Sequence, residues 1–242
     1  MAASATGDPT VEELIEKEKA ERTGQFAAAS YELASFPEGL YELSHLTKLF
    51  LQFNKIAALP RELGLFERLT GLFLQQNSLK TLPAEIGKLK SLSRLRLEHN
   101  QLVTLPDEIG QLASLTELHL EHNALRELPS TIGGWKKIRE LHVTHNQLRS
   151  LPTALGEHTA LILMPGKFQA KDGNPLDLLP ADTVAQGDRA IFEHVNLDCA
   201  HIKGLFVGFV LTDDSCSDIT QRTPPEDRQG QGTPHLYDCR AC

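Results

Sequence analysis

The hydrophobic positions of this chain repeat every 23 residues from about residue 46 to residue 161. Within each interval an aliphatic residue, an asparagine and a proline stand at fixed distances from one another. The three columns are Leu46, Leu69, Leu92, Leu115, Ile138 and Leu161; Asn54, Asn77, Asn100, Asn123 and Asn146; and Pro37, Pro60, Pro83, Pro106, Pro129 and Pro152. A fixed period of this length indicates that one structural unit is stacked several times.

The first half of each interval predicts a strand and a turn. Leu95 and Leu97 flank Arg96, which is the period of a β-strand, so the leucines point into the coil and Arg96 points outward. Asn100 then turns the chain, and its amide can hydrogen-bond backbone groups of its own and the neighbouring coil.

The second half of the interval predicts the outer side of the coil. Pro106 blocks further regular pairing after the strand segment. Ile109 and Leu112 are spaced for a short helical turn, and Gly110 is expected to permit a sharp bend there.

Stacking is required because one unit cannot bury its own leucines. The pattern is that of leucine-rich repeats, and it predicts an α/β leucine-rich-repeat solenoid with a parallel concave sheet, a helical N-cap and a C-terminal cap. Five units from Leu46 to about Ala160 match fully. The unit from about Thr23 to His45 is degenerate, with Tyr31 in place of asparagine, which suits a terminal cap.

The flanks divide the chain into four predicted segments. Residues 1–22 form a tail and capping helix, 23–163 the repeats, 164–195 the C-terminal cap, and 196–242 an acidic tail predicted to be largely disordered.

The sequence allows two alternative first residues for the N-terminal helix. Either Asp8 is the N-cap with Pro9 in the first helical position, or Thr10 and Glu13 form a capping box. Gly24 can end the helix. We expect this helix to cover the apolar edge of the first coil, with a partner-binding helix as the alternative.

The C-terminal cap is predicted from a change of pattern. Leu161 and Leu163 begin one more strand, which Met164, Pro165 and Gly166 interrupt. A helix is predicted from about Ala181 to Val195.

Composition and charge narrow the possible functions. The chain has 242 residues, 40% of them hydrophobic, and a formal net charge of −8, which argues against general nucleic-acid binding. No signal peptide or membrane-spanning run is recognised. All cysteines lie after residue 198, outside the repeats, so a reduced cytoplasmic setting is predicted.

The last four residues allow three readings. Cys239 and Cys242 form a C-x-x-C pair that could bind zinc together with His235, or with Cys199 and Cys216. The same residues place a cysteine fourth from the end, as prenylation requires. The third reading is a disordered tail with reactive thiols.

The outward residues of the strands are the candidate binding surface, because equivalent positions of stacked coils form columns about 4.8 Å apart. From the N-terminal to the C-terminal coils, this face is apolar, then basic, and then rich in histidine and glutamate. Aromatic residues beside arginines are typical of binding hot spots. The alternative is that the N-terminal helix folds over the phenylalanines. The partner-binding residues are predicted to be Phe50, Phe73, Arg94, Arg96, Glu117, His119, Glu140 and His142.

The histidines invite a metal hypothesis. His119, His142, His122 and His145 lie on neighbouring coils, and Glu117, Glu121 and Glu140 could assist. We expect no metal, because these columns are taken to be solvated and nothing arranges ligands tetrahedrally on a smooth sheet. Histidine protonation could still raise affinity for an acidic partner as the pH falls from about 7.5 to 6.

The flanking segments resemble the Ras suppressor protein family of intracellular leucine-rich-repeat proteins over roughly residues 11 to 195. The segments that carry the resemblance are Glu13 to Glu18, Leu43 to Leu49, Lys167 to Ala170, Asn174-Pro175, Gln186-Gly187 and Ile191 to Val195. The resemblance implies a non-enzymatic adapter that binds the last LIM domain of the PINCH adapter at integrin adhesions and dampens Ras signalling. This chain has fewer repeats and an acidic rather than lysine-rich tail.

The sequence therefore predicts a non-enzymatic protein-interaction scaffold without a cofactor. The alternative is a regulatory subunit that controls a phosphatase or a small GTPase. A hydrolase is the third hypothesis, for which the sequence supplies no nucleophile and base pair.

Overall fold

The structure is a computed structural model that describes residues 9–158, 161 and 168–202. The α-helices are α1 (Val11–Glu21), α2 (Ala181–Gln186) and α3 (Asp188–Ile202). The strands are β1 (Gln25–Ala27), β2 (Lys48–Phe50), β3 (Gly71–Phe73), β4 (Arg94–Arg96), β5 (Glu117–His119), β6 (Glu140–His142) and β7 (Phe168–Gln169). The 3₁₀ helices are η1 (Glu38–Glu42), η2 (Arg61–Leu65), η3 (Ala84–Lys88), η4 (Asp107–Gln111), η5 (Ser130–Gly134) and η6 (Thr153–Glu157).

The strands form one parallel sheet in the order β1 to β7. Between neighbouring strands from β2 to β6, each residue pairs with the residue 23 positions further on, as in Leu49 with Leu72 and Phe50 with Phe73. The middle leucine of each of these strands is fully buried. The predicted solenoid and its register are confirmed.

An asparagine ladder holds successive coils together. The Asn77 side-chain oxygen accepts from Ile56 N at 3.0 Å, and its amide donates to Leu51 O at 2.9 Å and to Leu74 O at 3.1 Å. One buried side chain thus bonds its own coil and the preceding one, as predicted. The degenerate first coil also joins the ladder, because Tyr31 N donates to the Asn54 oxygen.

The convex side consists of the 3₁₀ helices, each preceded by a proline as N-cap. Buried Ile109 in η4 confirms the predicted helical turn. The expected reason for Gly110 was wrong, because close packing rather than a bend requires it. A Cβ atom at Gly110 would overlap the Thr131 carbonyl of the next coil.

Helix α1 begins with the capping box. Thr10 Oγ1 accepts from Glu13 N at 3.2 Å, and the Glu13 carboxylate accepts from Thr10 N at 2.8 Å. The start at Asp8 and Pro9 was wrong, because the helix begins at Val11.

The same helix ends at Glu21, with Arg22 as its C-cap in the left-handed region, and Gly24 is not the cap. Buried Ile15 and the contacts of α1 with β1 and η1 confirm that the helix covers the first coil. Glu18 fixes this cap, since its carboxylate accepts from Gly24 N and lies 2.8 Å from His45 Nε2.

The C-terminal cap differs from its prediction in two ways. The last strand is Phe168–Gln169, which pairs with Leu141–His142, whereas Leu161 lies in a buried helical turn. The predicted helix is two helices, α2 and α3, separated at Gly187 with φ of 98°. α3 packs against η6 and continues past the predicted end at Val195 to Ile202.

Several predictions fall outside the described residues. These are the interruption at Met164, Pro165 and Gly166, the role of Leu163, the tail beyond residue 202 and the C-x-x-C pair. Within the described part of the chain, no helix combines the length and apolar character needed to cross a membrane.

Candidate functional site on the concave face

The sheet brings all eight predicted binding residues onto the concave side of β2 to β6. The third strand position forms one column and the first strand position another. The third-position column is Phe50, Phe73, Arg96, His119 and His142, and the first-position column is Lys48, Gly71, Arg94, Glu117 and Glu140. The placement of these residues is confirmed, and their role in binding stays a prediction.

Phe50 and Phe73 form an aromatic pair at the N-terminal end of the face. Their ring centroids are 4.6 Å apart and their planes differ by 9°. Gly71 allows this arrangement, because a Cβ atom there would come within 2.9 Å of the Phe73 ring. Since α1 packs on β1 and η1 instead, both rings remain half-buried on the face.

The arginines of β4 are paired within the face. Arg94 Nε lies 3.3 Å from Glu117 Oε1, and Arg96 Nη1 lies 3.7 Å from Glu98 Oε1. The Arg94–Glu117 pair is exposed enough to stabilise the fold little, so the Arg94 guanidinium group can exchange partners at small cost.

The C-terminal part of the face holds a histidine–glutamate cluster, which consists of His119, Glu121, Glu140 and His142. Glu121 Oε1 lies 3.3 Å from His119 Nδ1 and 3.1 Å from His142 Nδ1. Glu140 Oε1 lies 3.6 Å from His119 Nε2 and 3.5 Å from His142 Nε2. Each imidazole therefore lies between two carboxylates.

The cluster corrects the assumption that these columns are solvated. The His119 side chain is only 8% exposed, and the other three side chains are between 13% and 18% exposed. Concave curvature and close stacking of adjacent coils bury side chains that the strand period assigns to the outside.

The Glu121 carboxylate is ionised at any ordinary pH. Burial by itself would raise its pKa, but the hydrogen bonds from His119 and His142 outweigh burial and lower the pKa to about 2.

Glu121 was named only as a possible metal ligand and was not among the predicted partner-binding residues. The signal that could have found it is its position two residues after His119, which places both side chains on the same side of an extended segment. The sequence could not show that Glu121 also reaches His142 of the next coil.

A second group of histidines lies beside the cluster. His99, His122 and His145 stack with ring centroids 4.3 and 4.2 Å apart. Each adopts a left-handed backbone with φ of 54–56°, directly before a ladder asparagine. Burial, followed by the neighbouring His99 and His145, lowers the pKa of His122.

Comparison with known proteins identifies the repeat units. Residues 44–102 and 91–148 match the family described as Leucine rich repeat, so the repeats of this chain are leucine-rich repeats. No curated protein matches the chain. The finer assignment to the Ras suppressor family stays a prediction.

Solved structures share the repeat architecture. The chain is similar to the LRR ectodomain of the plant membrane receptor kinase GASSHO1/SCHENGEN3 from Arabidopsis thaliana, solved in complex with CASPARIAN STRIP INTEGRITY FACTOR 2. Identity is 31% and the TM-score 0.50, over 58% of this chain and 17% of that chain.

A second similar structure is the plant peptide hormone receptor RGFR1 in complex with RGF2. Identity is 28% and the TM-score 0.50, over 58% of this chain and 23% of that chain. The chain therefore spans less than a quarter of the length of either receptor chain.

Proposed function

We propose that this chain is a non-enzymatic scaffold that holds a protein partner on its concave face. The observation that carries the proposal is the stacked pair Phe50 and Phe73 next to Arg94 and Arg96. Aromatic residues and arginine dominate the energetics of protein interfaces. Phe53, which is 48% exposed in the coil of Phe50, extends the apolar patch.

Polar atoms beside the aromatic pair support the same surface. Three side-chain oxygens, Gln52 Oε1, Gln75 Oε1 and Glu98 Oε2, are buried and lack a hydrogen-bond partner within the described residues. Unpartnered buried acceptors are costly, so a partner whose binding turns these side chains toward its own donors would gain affinity.

The similar receptor structures agree with protein binding as the general role. GASSHO1/SCHENGEN3 was solved in complex with CASPARIAN STRIP INTEGRITY FACTOR 2 and RGFR1 in complex with RGF2, and both share the leucine-rich-repeat architecture with this chain. From these receptors we carry over to this chain only one general property, the recognition of another polypeptide.

A more specific proposal concerns the class of protein that binds to the concave face. The resemblance of the flanks supports a cytoplasmic adapter that binds a LIM domain and acts in Ras and integrin-adhesion signalling. The cysteine-free repeats fit that compartment.

The test is affinity capture with mass spectrometry, followed by titration of the captured partner. The variant Phe50→Ala/Phe73→Ala should lower the affinity for the partner at least 10-fold, because truncation of hot-spot aromatics costs about 2 kcal/mol or more. Leu65→Ala is the matched control, since Leu65 is an apolar residue of the convex helix η2 and is 54% exposed.

The outcomes separate the proposals. Recovery of LIM-domain proteins supports the finer proposal, and recovery of a small GTPase or a phosphatase without them favours a regulatory subunit. Equal binding by the double variant and the Leu65 control would contradict the concave scaffold. Thermal unfolding of both variants checks that the solenoid remains folded.

A further inference from the structure

The protons of the histidine–glutamate cluster can be assigned from its geometry. A carboxylate oxygen accepts hydrogen bonds, so the bonds to Glu121 Oε1 place protons on Nδ1 of both His119 and His142. A neutral imidazole protonated at Nδ1 carries a lone pair on Nε2. In that neutral form both Nε2 atoms present lone pairs on the side opposite Glu121.

The lone pair of His119 faces another acceptor. His119 Nε2 is buried, makes no hydrogen bond within the described residues, and lies 3.6 Å from Glu140 Oε1. Two acceptors that face each other in a site screened from water repel. A cation between them would remove both the repulsion and the cost of the unsatisfied atom.

We propose that His119, His142 and Glu140 bind a zinc ion through the two Nε2 atoms and a carboxylate oxygen. One ligand atom from each of these residues lies within 4.8 Å of the others. Tetrahedral zinc with bonds of about 2.0–2.2 Å places its ligands about 3.4 Å apart. The His–Glu separations of 3.5 and 3.6 Å already match this spacing.

Glu121 is the orienting residue of this site. Histidines that bind metal through one ring nitrogen usually donate the other N–H to a carboxylate, which fixes the ring and raises the basicity of the ligand. Glu121 Oε1 performs this role for both rings at once.

Ligand type and charge favour zinc over magnesium or calcium. Imidazole nitrogen suits zinc, whereas magnesium and calcium select oxygen ligands. The carboxylates of Glu121 and Glu140 attract a divalent cation. Glu117, which pairs with Glu140 across the strands, lies 3.3 Å from Arg94 Nε and adds no net charge to the cluster.

Three protein ligands leave the fourth tetrahedral position to another ligand. Water or a side chain of a bound partner can take this position. The zinc proposal stands on the cluster alone and does not depend on the scaffold function.

Calorimetric titration of the full chain with ZnCl₂ after chelator treatment tests the proposal. A cluster zinc should bind at one ion per chain and raise the melting temperature. Glu140→Gln and His142→Gln should each abolish this binding. Glu121→Gln should weaken it about 10–100-fold, as expected of a residue that only orients the ligands.

The tail cysteines need their own control, because thiolates also bind zinc. A variant with serine at Cys199, Cys216, Cys239 and Cys242 should keep the cluster zinc. Cobalt(II) in that variant should give visible bands of tetrahedral coordination without sulfur-to-metal charge transfer. His99→Asn, in the neighbouring histidine stack, should bind zinc like the wild type.

Three results would overturn the assignment. One is absence of zinc binding by the wild-type chain. Another is zinc binding that survives in Glu140→Gln but disappears in the cysteine variant. The third is loss of zinc in His99→Asn with retention in His142→Gln. Melting temperatures of the metal-free variants check that each is folded.

Discussion

At the residue scale, burial of His158 makes the stability of the solenoid depend on pH. His158 Nε2 donates to Ile132 O at 2.9 Å, and burial lowers the pKa of the imidazole despite this bond. The unfolded chain then binds a proton below about pH 6.5 that the folded chain does not bind. The stabilising effect of neutral His158 is present above that pH and is lost as the pH falls.

The variant His158→Gln tests this coupling, because glutamine keeps a donor for Ile132 O but does not titrate. The free energy of unfolding, measured in urea at pH 7.5 and 5.5, should fall more on acidification in the wild type than in the variant. Equal losses in the two proteins would show that His158 does not contribute to the pH dependence.

Single side chains also mark where inference from the sequence ends. Asn77 and its equivalents could be assigned to turns because their spacing repeats and a buried amide must find backbone partners. The burial of His119 could not be inferred, because it depends on the curvature of the sheet and on Glu140 from the next coil. The alternation of apolar and polar residues along one strand shows neither the curvature of the sheet nor the contacts from the next coil.

At the scale of elements, contact between successive 3₁₀ helices is set by glycines. A Cβ atom at Gly110 of η4 would overlap the Thr131 carbonyl in η5, and backbone cannot move aside as a side chain can. Gly110→Ala should therefore lower the free energy of unfolding by about 3 kcal/mol, the upper range for overpacking. Urea denaturation followed by circular dichroism measures this loss.

Gly133 in η5 is the matched control. Its added Cβ atom would meet the nearest atom, Ala154 Cβ, at 3.5 Å, which is ordinary contact. Gly133→Ala should be neutral or stabilise by about 0.5 kcal/mol, because alanine restricts the unfolded chain. Similar losses at both positions would mean that helix spacing is not fixed by this contact.

Elements within the period could be predicted from the sequence, and those outside it could not. Strand β4 and helix η4 follow from repeated spacing, since each coil repeats the packing of its neighbours. Strand β7 lies at Phe168 rather than Leu161, and its pairing with Leu141 departs from the 23-residue spacing that sets the register of the other strands. Asn174 continues the asparagine ladder there, with its oxygen accepting from Leu148 N.

At the scale of the whole molecule, a stacked architecture predicts that deleting a whole coil can lower the free energy of unfolding less than deleting part of a coil. Deletion of residues 69–91 removes one complete coil and brings Leu92 into the position of Leu69. β2 can then pair with β4 in the register that β3 occupied, so the shortened chain should fold, less stable by one coil and one interface. Its denaturant slope should also fall, because less surface is exposed on unfolding.

Deletion of residues 69–80 alone should be more damaging, although it is about half as long. It removes β3 but leaves η3, so the buried isoleucine of η3 loses the strand side of its own coil. Far-ultraviolet circular dichroism and urea denaturation of the two deletion variants make the comparison. A shorter deletion that proves the more stable would contradict stacking in units of 23 residues, because in a solenoid the cost depends on whether whole coils remain and not on how many residues are lost.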